Sequence, residues 1–366
     1  MKIAILNDTH FGIHNNSPLF FDYQRTFYED VFFPYLKENN IRHIWHLGDF
    51  FDHRKQININ TLFSTRKMFL EPLVENGIFM TIIPGNHDTF YKNTIRVTSL
   101  KELLGYFTGN IEIIMNPKVK RFDKTEVAFI PWITNENYNE TMRFLHVTDV
   151  PVVCAHLELT GFDLMKGMKS HDGMDPSIFR KFDKVLTGHF HTKSHQDNIY
   201  YLGSQMEFTW SDWNDNKYFH VYDTEINEII PVRNPHTLFA KIFYKDEIGK
   251  NLDKFSFSDY NGKFIKIIVE EKNDAYLFET FIDRLQQNVK NLHELKIIES
   301  YSHFIPADSE EIFNLEEEEA SSLSIDTTQL MINYIDYIET SLNKDKLKKH
   351  FMGLHAEAVT ALYDND

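Results

Sequence analysis

The chain has 366 residues and a mass of 43.4 kDa, enough to bury a large core, and its length predicts two domains with an appendage. Its 42% hydrophobic and 14% aromatic residues exclude a chain that is disordered throughout. A formal charge of −16 argues against a broad basic surface for nucleic acid. No apolar run approaches the roughly twenty residues that span a bilayer. The polar start, MKIAILNDTH, is unlike a signal peptide, so we expect a cytoplasmic protein with no membrane partner.

Candidate strands and helices alternate over the first two thirds of the chain. Apolar runs typical of buried strands occupy residues 2–6, 43–47, 79–83, 126–133, 151–156, 184–188 and 199–203. An amphipathic helix is predicted over 17–39, where Ser17 and Pro18 are typical of a helix start. A second helix is predicted over 60–76 and ends at Gly77. This alternation predicts an α/β sandwich whose polar strand ends gather on one rim of one sheet.

The last third of the chain is organised differently. A predicted hairpin at 218–232 completes a first domain, which we assign to residues 1–235. Strand and helix patterns then predict a small α+β domain over 236–306. Residues 307–324 are interpreted as an acidic linker because they include DSEEIFNLEEEE. Helical spacing returns over 325–366, where two predicted helices either fold back on the main domain or dock on another chain.

The segment VLTGHFHTK ends a predicted strand with two histidines one residue apart. In an extended chain, residues i and i+2 project to the same side, so His189 and His191 would converge on one point, as metal ligands do. The chain contains 18 histidines, and such a pair also arises by chance. The other strand ends must therefore decide whether this is a metal site.

Metal-binding side chains follow five of the predicted strands. In chain order they belong to Asp8-Thr9-His10, GDFFD at 48–52, GNHD at 85–88, His156 and GHFH at 188–191. Each has a structural alternative, since Asp and Asn are common in helix caps and tight turns, and a single histidine is often a core residue. Their joint occurrence at successive strand ends favours one metal-dependent catalytic site.

The order of these motifs resembles that of the calcineurin-like metallophosphoesterases over residues 8–191. The resemblance implies a four-layer α/β sandwich, two mixed sheets flanked by helices, with a small α+β capping domain and C-terminal helices. It also implies two divalent metal ions that share Asp49. Carried over motif by motif, the first ion would be held by Asp8, His10, Asp49 and His191, and the second by Asp49, Asn86, His156 and His189.

This ligand set suits the hydrolysis of a phosphodiester. Two ions about 3.5–4 Å apart hold phosphate oxygens and acidify a bridging water into a hydroxide nucleophile. Mixed imidazole and carboxylate ligands suit Mn²⁺, Fe²⁺ or Zn²⁺ better than Ca²⁺. The resemblance favours Mn²⁺, with Mg²⁺, Fe²⁺ and Zn²⁺ as alternatives. In the family pattern His87 stabilises the transition state or protonates the leaving oxygen, and Asp88 would hold the tautomer of His87.

Three further sequence segments resemble those of the SbcD-type nucleases of meiotic recombination and double-strand-break repair. They are DTHFG at 8–12, Asp88 at the end of GNHD, and YLGS at 201–204. The compact, aromatic-rich form is most similar to the recombination endonuclease subunits of T-even-like phages. The resemblance implies an exo- and endonuclease that processes DNA ends with an SbcC-type ABC ATPase carrying a coiled coil. Helices in 325–363 would dock on that ATPase, in the host cytoplasm if the protein is phage-encoded.

Weaker expectations concern DNA contacts and a homodimer. Basic residues that could meet the DNA backbone are Arg54, Lys55, Lys120 and Arg121. The family pattern implies a dimer formed by helices after the second and third motifs, matching Leu62, Phe63, Leu100, Leu103 and Leu104. The alternative is that these apolar residues pack only within one chain. At Asp52 some relatives carry a phosphate-positioning histidine, whereas His53 would point away from the site in an extended segment, so neither receives a role.

Two other functions fit the same residues. The chain could be a phosphodiesterase or phosphatase for a small ester, with the 236–306 domain as a lid. It could also be a scaffold without catalysis, in which the metal site stabilises the fold and the terminal helices act. An intact ligand set together with His87 argues against the scaffold, because a structural site has no use for that imidazole.

Overall fold

The structure is a computed structural model that describes residues 1–107, 109–165 and 168–299, together with Lys344 and residues 346–348. The predicted acidic linker lies outside the described residues. So does the predicted C-terminal helical segment, apart from Lys344 and 346–348, which are helical. No helix among the described residues combines the length and the apolar character needed to span a bilayer.

Two mixed six-stranded sheets form the centre of the fold. The first has the order β16-β15-β1-β2-β3-β6, and its strands are β1 (Lys2–Leu6), β2 (His43–His46), β3 (Phe79–Ile82), β6 (Ile111–Ile113), β15 (Tyr218–Asp223) and β16 (Glu228–Arg233). Strands β1, β2, β3 and β6 are parallel, and the hairpin of β15 and β16 adds antiparallel to β1. The four parallel strands therefore end at the same edge of the sheet.

The second sheet has the order β13-β14-β12-β9-β8-β7. Its strands are β7 (Lys118–Phe122), β8 (Thr125–Ile130), β9 (Val152–His156), β12 (Lys184–Gly188), β13 (Ser194–Gln196) and β14 (Ile199–Tyr201). Strands β8, β9, β12 and β14 are parallel, whereas the edge strands β7 and β13 are antiparallel to their neighbours. In both sheets the central strands are parallel and strands at the edge are antiparallel, so both sheets are mixed, as expected.

The packing of the side chains gives four layers. One buried cluster joins the two sheets face to face and includes Ile3, Ile5, Trp45, Val152 and Leu186. The outer face of the first sheet packs against helices 18–38 and 59–75, and the outer face of the second packs against helix 138–147. A strand that is buried on both faces has a continuous apolar sequence. This is why β1, with the sequence KIAIL, does not alternate between polar and apolar residues. The predicted four-layer sandwich is confirmed.

The helices of the outer layers are α1 (Ile13–Asn16), α2 (Pro18–Phe27), α3 (Phe33–Glu38), α4 (Ile59–Thr65), α5 (Glu71–Glu75) and α6 (Tyr138–Val147). A π-helical turn at Tyr28–Phe32 joins α2 to α3, and another at Arg66–Leu70 joins α4 to α5. Each wide turn directly precedes a segment that starts with a proline at its second position, Pro34 or Pro72. Proline lacks an N–H and clashes with the preceding turn, and a widened turn relieves both. The two predicted helices are therefore confirmed.

A third sheet follows the sandwich. It contains three parallel strands, β17 (Phe239–Tyr244), β18 (Phe264–Val269) and β19 (Glu294–Glu299). Helices α7 (Asp246–Lys250) and α8 (Ala275–Asn288) accompany it, and α8 buries Phe278, Phe281 and Leu285 against one face. Three-residue and four-residue 3₁₀ turns lie at Pro176–Phe179, Trp210–Asp212, Leu252–Lys254 and Phe257–Tyr260.

Several elements were not expected from the sequence. They are the edge strands β6, β7 and β13, a further π turn at Leu100–Leu104, and two hairpins made of β4 (Thr89–Tyr91) with β5 (Thr94–Thr98) and β10 (Asp163–Met165) with β11 (Met168–Lys169). Most are three residues long or lie at a sheet edge. Short strands with one exposed side carry too few apolar residues to give a periodic signal.

Candidate metal centre

The residues predicted as metal ligands lie together at one end of the sandwich. Asp8 and His10 follow β1, Asp49 follows β2, and Asn86 follows β3, all in the first sheet. The remaining ligands come from the second sheet, where His156 ends β9 and His189 and His191 follow β12. The expectation of a site on one rim of one sheet is therefore wrong. The site spans the facing ends of two sheets, because the face-to-face packing brings both sets of strand ends to the same edge.

A first cluster contains Asp8, His10 and His191, whose possible ligand atoms all lie within 4.8 Å of one another. The Nε2 atoms of His10 and His191 are 3.1 Å apart. The carboxylate of Asp8 accepts hydrogen bonds from the backbone N–H of His189 at 3.0 and 3.1 Å, and from the Asn7 amide at 2.6 Å. Two imidazole nitrogens and a carboxylate thus face one small volume.

A second cluster contains Asp49, His156 and His189, again within 4.8 Å. The amide oxygen of Asn86 lies 2.9 Å from Nε2 of His156 and 3.0 Å from Nδ1 of His189. His189 and His191 therefore belong to different clusters and do not converge on one point. The segment is not extended, since the backbone of His189 is left-handed with φ 95°.

Asp49 lies between the two clusters. Its Oδ2 atom is 3.3 Å from Nε2 of His156 and 3.9 Å from Nε2 of His10. Its Oδ1 atom accepts the backbone N–H of His87 at 2.7 Å. Burial opposes ionisation, but His156, His87 and His10 outweigh it and hold the pKa of Asp49 well below its usual range. Asp49 is therefore held as a carboxylate between the two clusters.

The backbone around the clusters is strained. Asp8, His10 and Asp49 have positive φ angles of 48°, 43° and 55°, in the left-handed region that non-glycine residues rarely occupy. Such residues cost of order 1–3 kcal/mol each and persist where the surrounding structure holds them. A Cβ atom on Gly48 would lie 2.5 Å from Nδ1 of His156 and 2.8 Å from the backbone of Gly85. The glycines of the motifs are therefore required for the close approach of the two sheets.

The histidines differ in protonation. Burial opposes the charged form of His10, but Asp52, Asp49 and Asp8 outweigh it and raise the pKa of His10 to about 9. Burial is likewise outweighed by Asp49 and Asp8 at His156, whose pKa is also raised to about 9. Burial and the charge of His10 lower the pKa of His191 to about 4. In the metal-free protein, the short contact between His10 and His191 therefore holds one proton, which His10 donates.

The donor set fits two divalent ions. Imidazole nitrogens combined with carboxylate and amide oxygens suit first-row divalent metals, and a carboxylate shared by two clusters suits a two-ion site. The ring of His156 is held by Nδ1, which donates to the carbonyl of Leu47 at 2.7 Å, and Nδ1 of His10 lies 3.1 Å from Oδ1 of Asp52. These contacts direct the Nε2 atom of each ring into the site.

A sequence model of the family described as calcineurin-like phosphoesterase matches residues 1–204. The chain belongs to the calcineurin-like phosphoesterase family. It is a metal-dependent hydrolase of phosphoesters, as the motifs predicted.

Relatives extend the comparison beyond the motifs. This phosphoesterase is 29% identical to Exonuclease subunit 1 of Enterobacteria phage T4 over 362 residues, which cover 98% of this chain and 100% of the relative. It is 23% identical to the putative phosphoesterase 078R of Invertebrate iridescent virus 3, over 70% of this chain and 68% of that one. An archaeal phosphodiesterase of known structure is 14% identical, with a TM-score of 0.32 over 64% of this chain and 100% of its own. The predicted resemblance to the phage proteins is confirmed.

The partners of His87 differ from those expected. Nδ1 of His87 donates to the backbone carbonyl of Asp52 at 2.6 Å, which leaves Nε2 for the cleft. Asp88 does not hold this ring. Its carboxylate is fully buried and accepts backbone N–H bonds from residues 49, 50, 51 and 85 at 2.8–3.3 Å. The predicted role of Asp88 is therefore wrong, because its side chain points into the protein and ties the second motif to the third.

Asp52 and His53 both line the cleft of this phosphoesterase. Nε2 of His53 lies 3.7 Å from Oδ2 of Asp52, whose other oxygen contacts His10. The expectation that His53 points away is wrong because residues 52–55 bend and do not form a strand. The sequence signal that could have found His53 is its place directly after the second motif.

The predicted DNA-contacting residues separate into two pairs. Arg54 and Lys55 line a polar cavity of about 670 Å³ next to His53 and His87. Lys120 forms an ion pair with Glu112 and bonds to Thr81 at 3.1 Å, and Nε of Arg121 donates to the carbonyl of Asp123 at 3.0 Å. The structure therefore does not bring Lys120 and Arg121 to the metal cleft.

The residues predicted to form the dimer differ in their burial. Leu100 and Leu104 are 0% and 1% exposed and pack in the core of their own chain, so the expectation that they contact a second copy is wrong. Leu62 and Leu103 are partly buried against the same core. Phe63 is 51% exposed on α4.

Proposed function

We propose that this phosphoesterase is a two-metal DNA nuclease that processes DNA ends, by exo- and endonucleolytic cleavage, in recombination and repair. The observation that carries the proposal is the match to an exonuclease subunit along the full length of both chains. The match includes the region beyond residue 204, where a phosphoesterase for small esters has no need of the same layout.

The ligands proposed for the first ion are Asp8, His10, Asp49 and His191, and those for the second are Asp49, Asn86, His156 and His189. The closeness of each set and the intermediate position of Asp49 support this division. When bound, two divalent ions, with Mn²⁺ favoured, would neutralise charge on the phosphate and activate a water. The chain contributes the carboxylates and imidazoles, four of which are held by left-handed backbone positions.

His87 is proposed as the group that donates a proton to the leaving oxygen or stabilises the transition state. Its ring is half-buried and lies 4.8 Å, centre to centre, from the ring of His10. The backbone carbonyl of Asp52 accepts from Nδ1, which orients the ring, and a ring nitrogen lies within 4.8 Å of possible ligand atoms of His10 and Asp49. The free Nε2 atom is therefore positioned for proton transfer at the edge of the metal cluster.

Arg54 and Lys55 are proposed to contact the DNA backbone. They line the polar cavity that adjoins the metal cleft through His53 and His87. Two cations next to the bound phosphate would offset part of the overall negative charge of the chain at the place where DNA enters.

We further propose that the protein works as a homodimer with an SbcC-type ABC ATPase. The phage T4 relative is named as a subunit, which supports a partner protein. On α4, Ile59 and Phe63 are 86% and 51% exposed and are four residues apart, so they share one face of the helix. Phe63→Glu should convert a dimer to a monomer in sedimentation velocity experiments, whereas Tyr106→Glu, at a 90% exposed site, should not.

The experiment that tests the nuclease uses purified full-length protein, Mn²⁺ and end-labelled DNA, with and without the partner ATPase. We expect cleavage near DNA ends that requires the metal. Cleavage of a small aryl phosphodiester without cleavage of linear duplex or single-stranded DNA would instead favour an enzyme for small esters. Absence of both activities, with two ions bound, would favour a scaffold.

A further inference from the structure

The cleft that contains the metal centre ends in a group of aromatic rings, which we call the aromatic pocket: His14, Phe20, Trp210, Phe239 and Phe264. We propose that this pocket binds one unpaired nucleobase of the DNA whose phosphate lies at the metal centre. The inference rests on the proposed nuclease function and adds a requirement for an unpaired nucleotide.

The five rings form a continuous wall. His14 stacks on Phe20 with centroids 4.3 Å apart and planes inclined by 24°. Phe20 contacts Phe264 at 6.1 Å, Phe264 stacks on Phe239 at 5.4 Å and 26°, and Phe239 contacts Trp210 at 4.8 Å. His14 and Phe264 are each stacked on a neighbouring ring, and a flat aromatic face is the surface that a base uses for stacking.

The wall is assembled from distant parts of the chain. His14 and Phe20 come from the segment after β1, Trp210 from a 3₁₀ turn after β14, and Phe239 and Phe264 from adjacent strands of the third sheet, where they are paired in register. Phe20, Trp210 and Phe239 are buried, whereas His14 and Phe264 are partly exposed. A ligand in the cleft would therefore contact the rings of His14 and Phe264, and the other three would support them.

The position of His14 is maintained by a strained turn. Three consecutive residues, His14, Asn15 and Asn16, have left-handed backbones with φ of 52°, 54° and 64°. Left-handed non-glycine residues concentrate at functional sites, where the surrounding structure holds them. Nε2 of His14 bonds to the backbone carbonyl of Phe208 at 2.7 Å. The strain places the imidazole against Phe20 at the rim of the cleft.

Phe208 connects the aromatic pocket to the metal centre. Its carbonyl holds His14, and its ring packs edge-on against His10 at 5.8 Å and His191 at 5.7 Å. Both sites therefore lie on opposite sides of one residue and open into the same cleft. A ligand with a phosphate at one end and a flat aromatic group at the other matches this arrangement, and a nucleotide has that structure.

The size of the cleft favours a single base over a base pair. Its volume is about 330 Å³, at the lower limit for a pocket that holds a single small molecule. A nucleotide would have to leave the duplex, by fraying at an end or by extrusion, before its base could enter. Stacking on aromatic rings accepts any base, so the pocket would select for an unpaired nucleotide without selecting its sequence.

Binding is tested first with DNA that carries the fluorescent base 2-aminopurine at a frayed end, and with full-length protein and Mn²⁺ in the His87→Ala background, in which cleavage should be slow while the metal still binds. Stacking in the pocket should quench the fluorescence on binding. In Phe264→Leu, which retains an apolar side chain and removes the ring, the quenching should be lost. Phe243→Leu is the matched control, because Phe243 lies on the same strand as Phe239, is 45% exposed and is not part of the pocket.

Cleavage is tested next, with Mn²⁺ and substrates that are identical except for an abasic site scanned through the terminal nucleotides of each strand. In the wild-type protein, removing the base at the cleaved nucleotide should lower kcat/KM by about 5- to 10-fold, the lower part of the range for loss of one stacking contact. The ratio of kcat/KM for intact DNA to kcat/KM for abasic DNA should fall close to one in Phe264→Leu and stay at the wild-type value in Phe243→Leu.

The possible outcomes separate this inference from the proposed function. If DNA is cleaved but the abasic substrate reacts equally well and 2-aminopurine is not quenched, the aromatic pocket is only a structural contact and the inference is wrong. If a small phosphodiester is cleaved but DNA is not, the nuclease function itself fails. If Phe264→Leu does not fold, as judged by its melting temperature, the wild-type protein alone is tested on intact and abasic DNA. Equal cleavage of the two substrates would then contradict the inference.

Discussion

Replacement of Gly85 with alanine tests whether the two-ion site depends on the close approach of two backbones. A Cβ atom at this position would overlap Oδ1 of Asp49, and it would lie 2.5 Å from the backbone N and 2.8 Å from Cγ of that residue. Ordinary contacts begin at 3.4 Å, so Asp49 would have to move by roughly 1 Å. Since Asp49 lies between both clusters, the displacement should weaken both metal sites.

The magnitude follows from the size of that displacement. A misplacement of about 1 Å in a catalytic group costs about 100-fold in rate, and overpacking of a buried site costs about 1–3 kcal/mol of stability. We therefore expect Gly85→Ala to cleave DNA about 100-fold more slowly and to lose affinity for both manganese ions in calorimetric titrations. The metal-free protein should also unfold at lower urea concentration.

A matched control is available in the same chain. A Cβ atom on Gly109 would meet nothing within 4 Å, so Gly109→Ala makes the same chemical change in open space and should leave metal binding and rate unchanged. If Gly85→Ala binds two ions with wild-type affinity and retains its activity, Asp49 is not the shared ligand and the reasoning from the backbone contact is refuted.

His87→Ala should lower the cleavage rate by about 100- to 10,000-fold while calorimetry still detects metal binding, and activity near that of the wild type would rule out His87 as the acid. Asp88→Asn should reduce the free energy of unfolding in urea by about 2–4 kcal/mol, because the new amide nitrogen would replace one carboxylate oxygen and face two backbone N–H donors. The exposed Asp283→Asn should change it by less than about 0.5 kcal/mol. Between pH 7 and pH 9 manganese affinity should rise, since His10 and His156, with pKa values near 9, must lose their protons to bind. Calorimetry in buffers of different ionisation enthalpy should detect about two protons released near pH 7, and release of none would contradict this assignment.

The proposed DNA contacts of Arg54 and Lys55 address how an acidic chain would hold a nucleic-acid substrate. Lysines outside the cleft are partly neutralised by neighbouring acids, as when Glu112 pairs with Lys118 and Lys120. Arg54 and Lys55 line the cavity that adjoins the cleft near His53 and His87, and ions bound at the candidate metal centre would add further positive charge. Under the proposed nuclease function, these cations would attract phosphate beside the candidate metal centre.

The motifs alone were sufficient to find the residues of the candidate metal centre, but not that these residues come from two sheets. Asp8, Asp49, Asn86, His156 and His189 each follow a strand that reads as a short apolar run, and parallel strands end at a common edge. These positions can be read from adjacent residues, because a buried strand is apolar and the first polar residues after it mark its end. The main helices were also predictable, since proline at their starts and amphipathic spacing are properties of adjacent residues.

Side-chain direction and burial were decided only by the tertiary structure. Asp88 and His87 are neighbours in the chain, yet one carboxylate faces inward to four N–H groups while the adjacent imidazole faces the cleft. Leu104 and Phe63 have similar apolar patterns, but only Phe63 is exposed. The aromatic pocket unites rings separated by as many as 250 positions in the chain, from His14 to Phe264. Periodicity and motif spacing report on residues a few positions apart, whereas these features depend on which distant surfaces pack against one another.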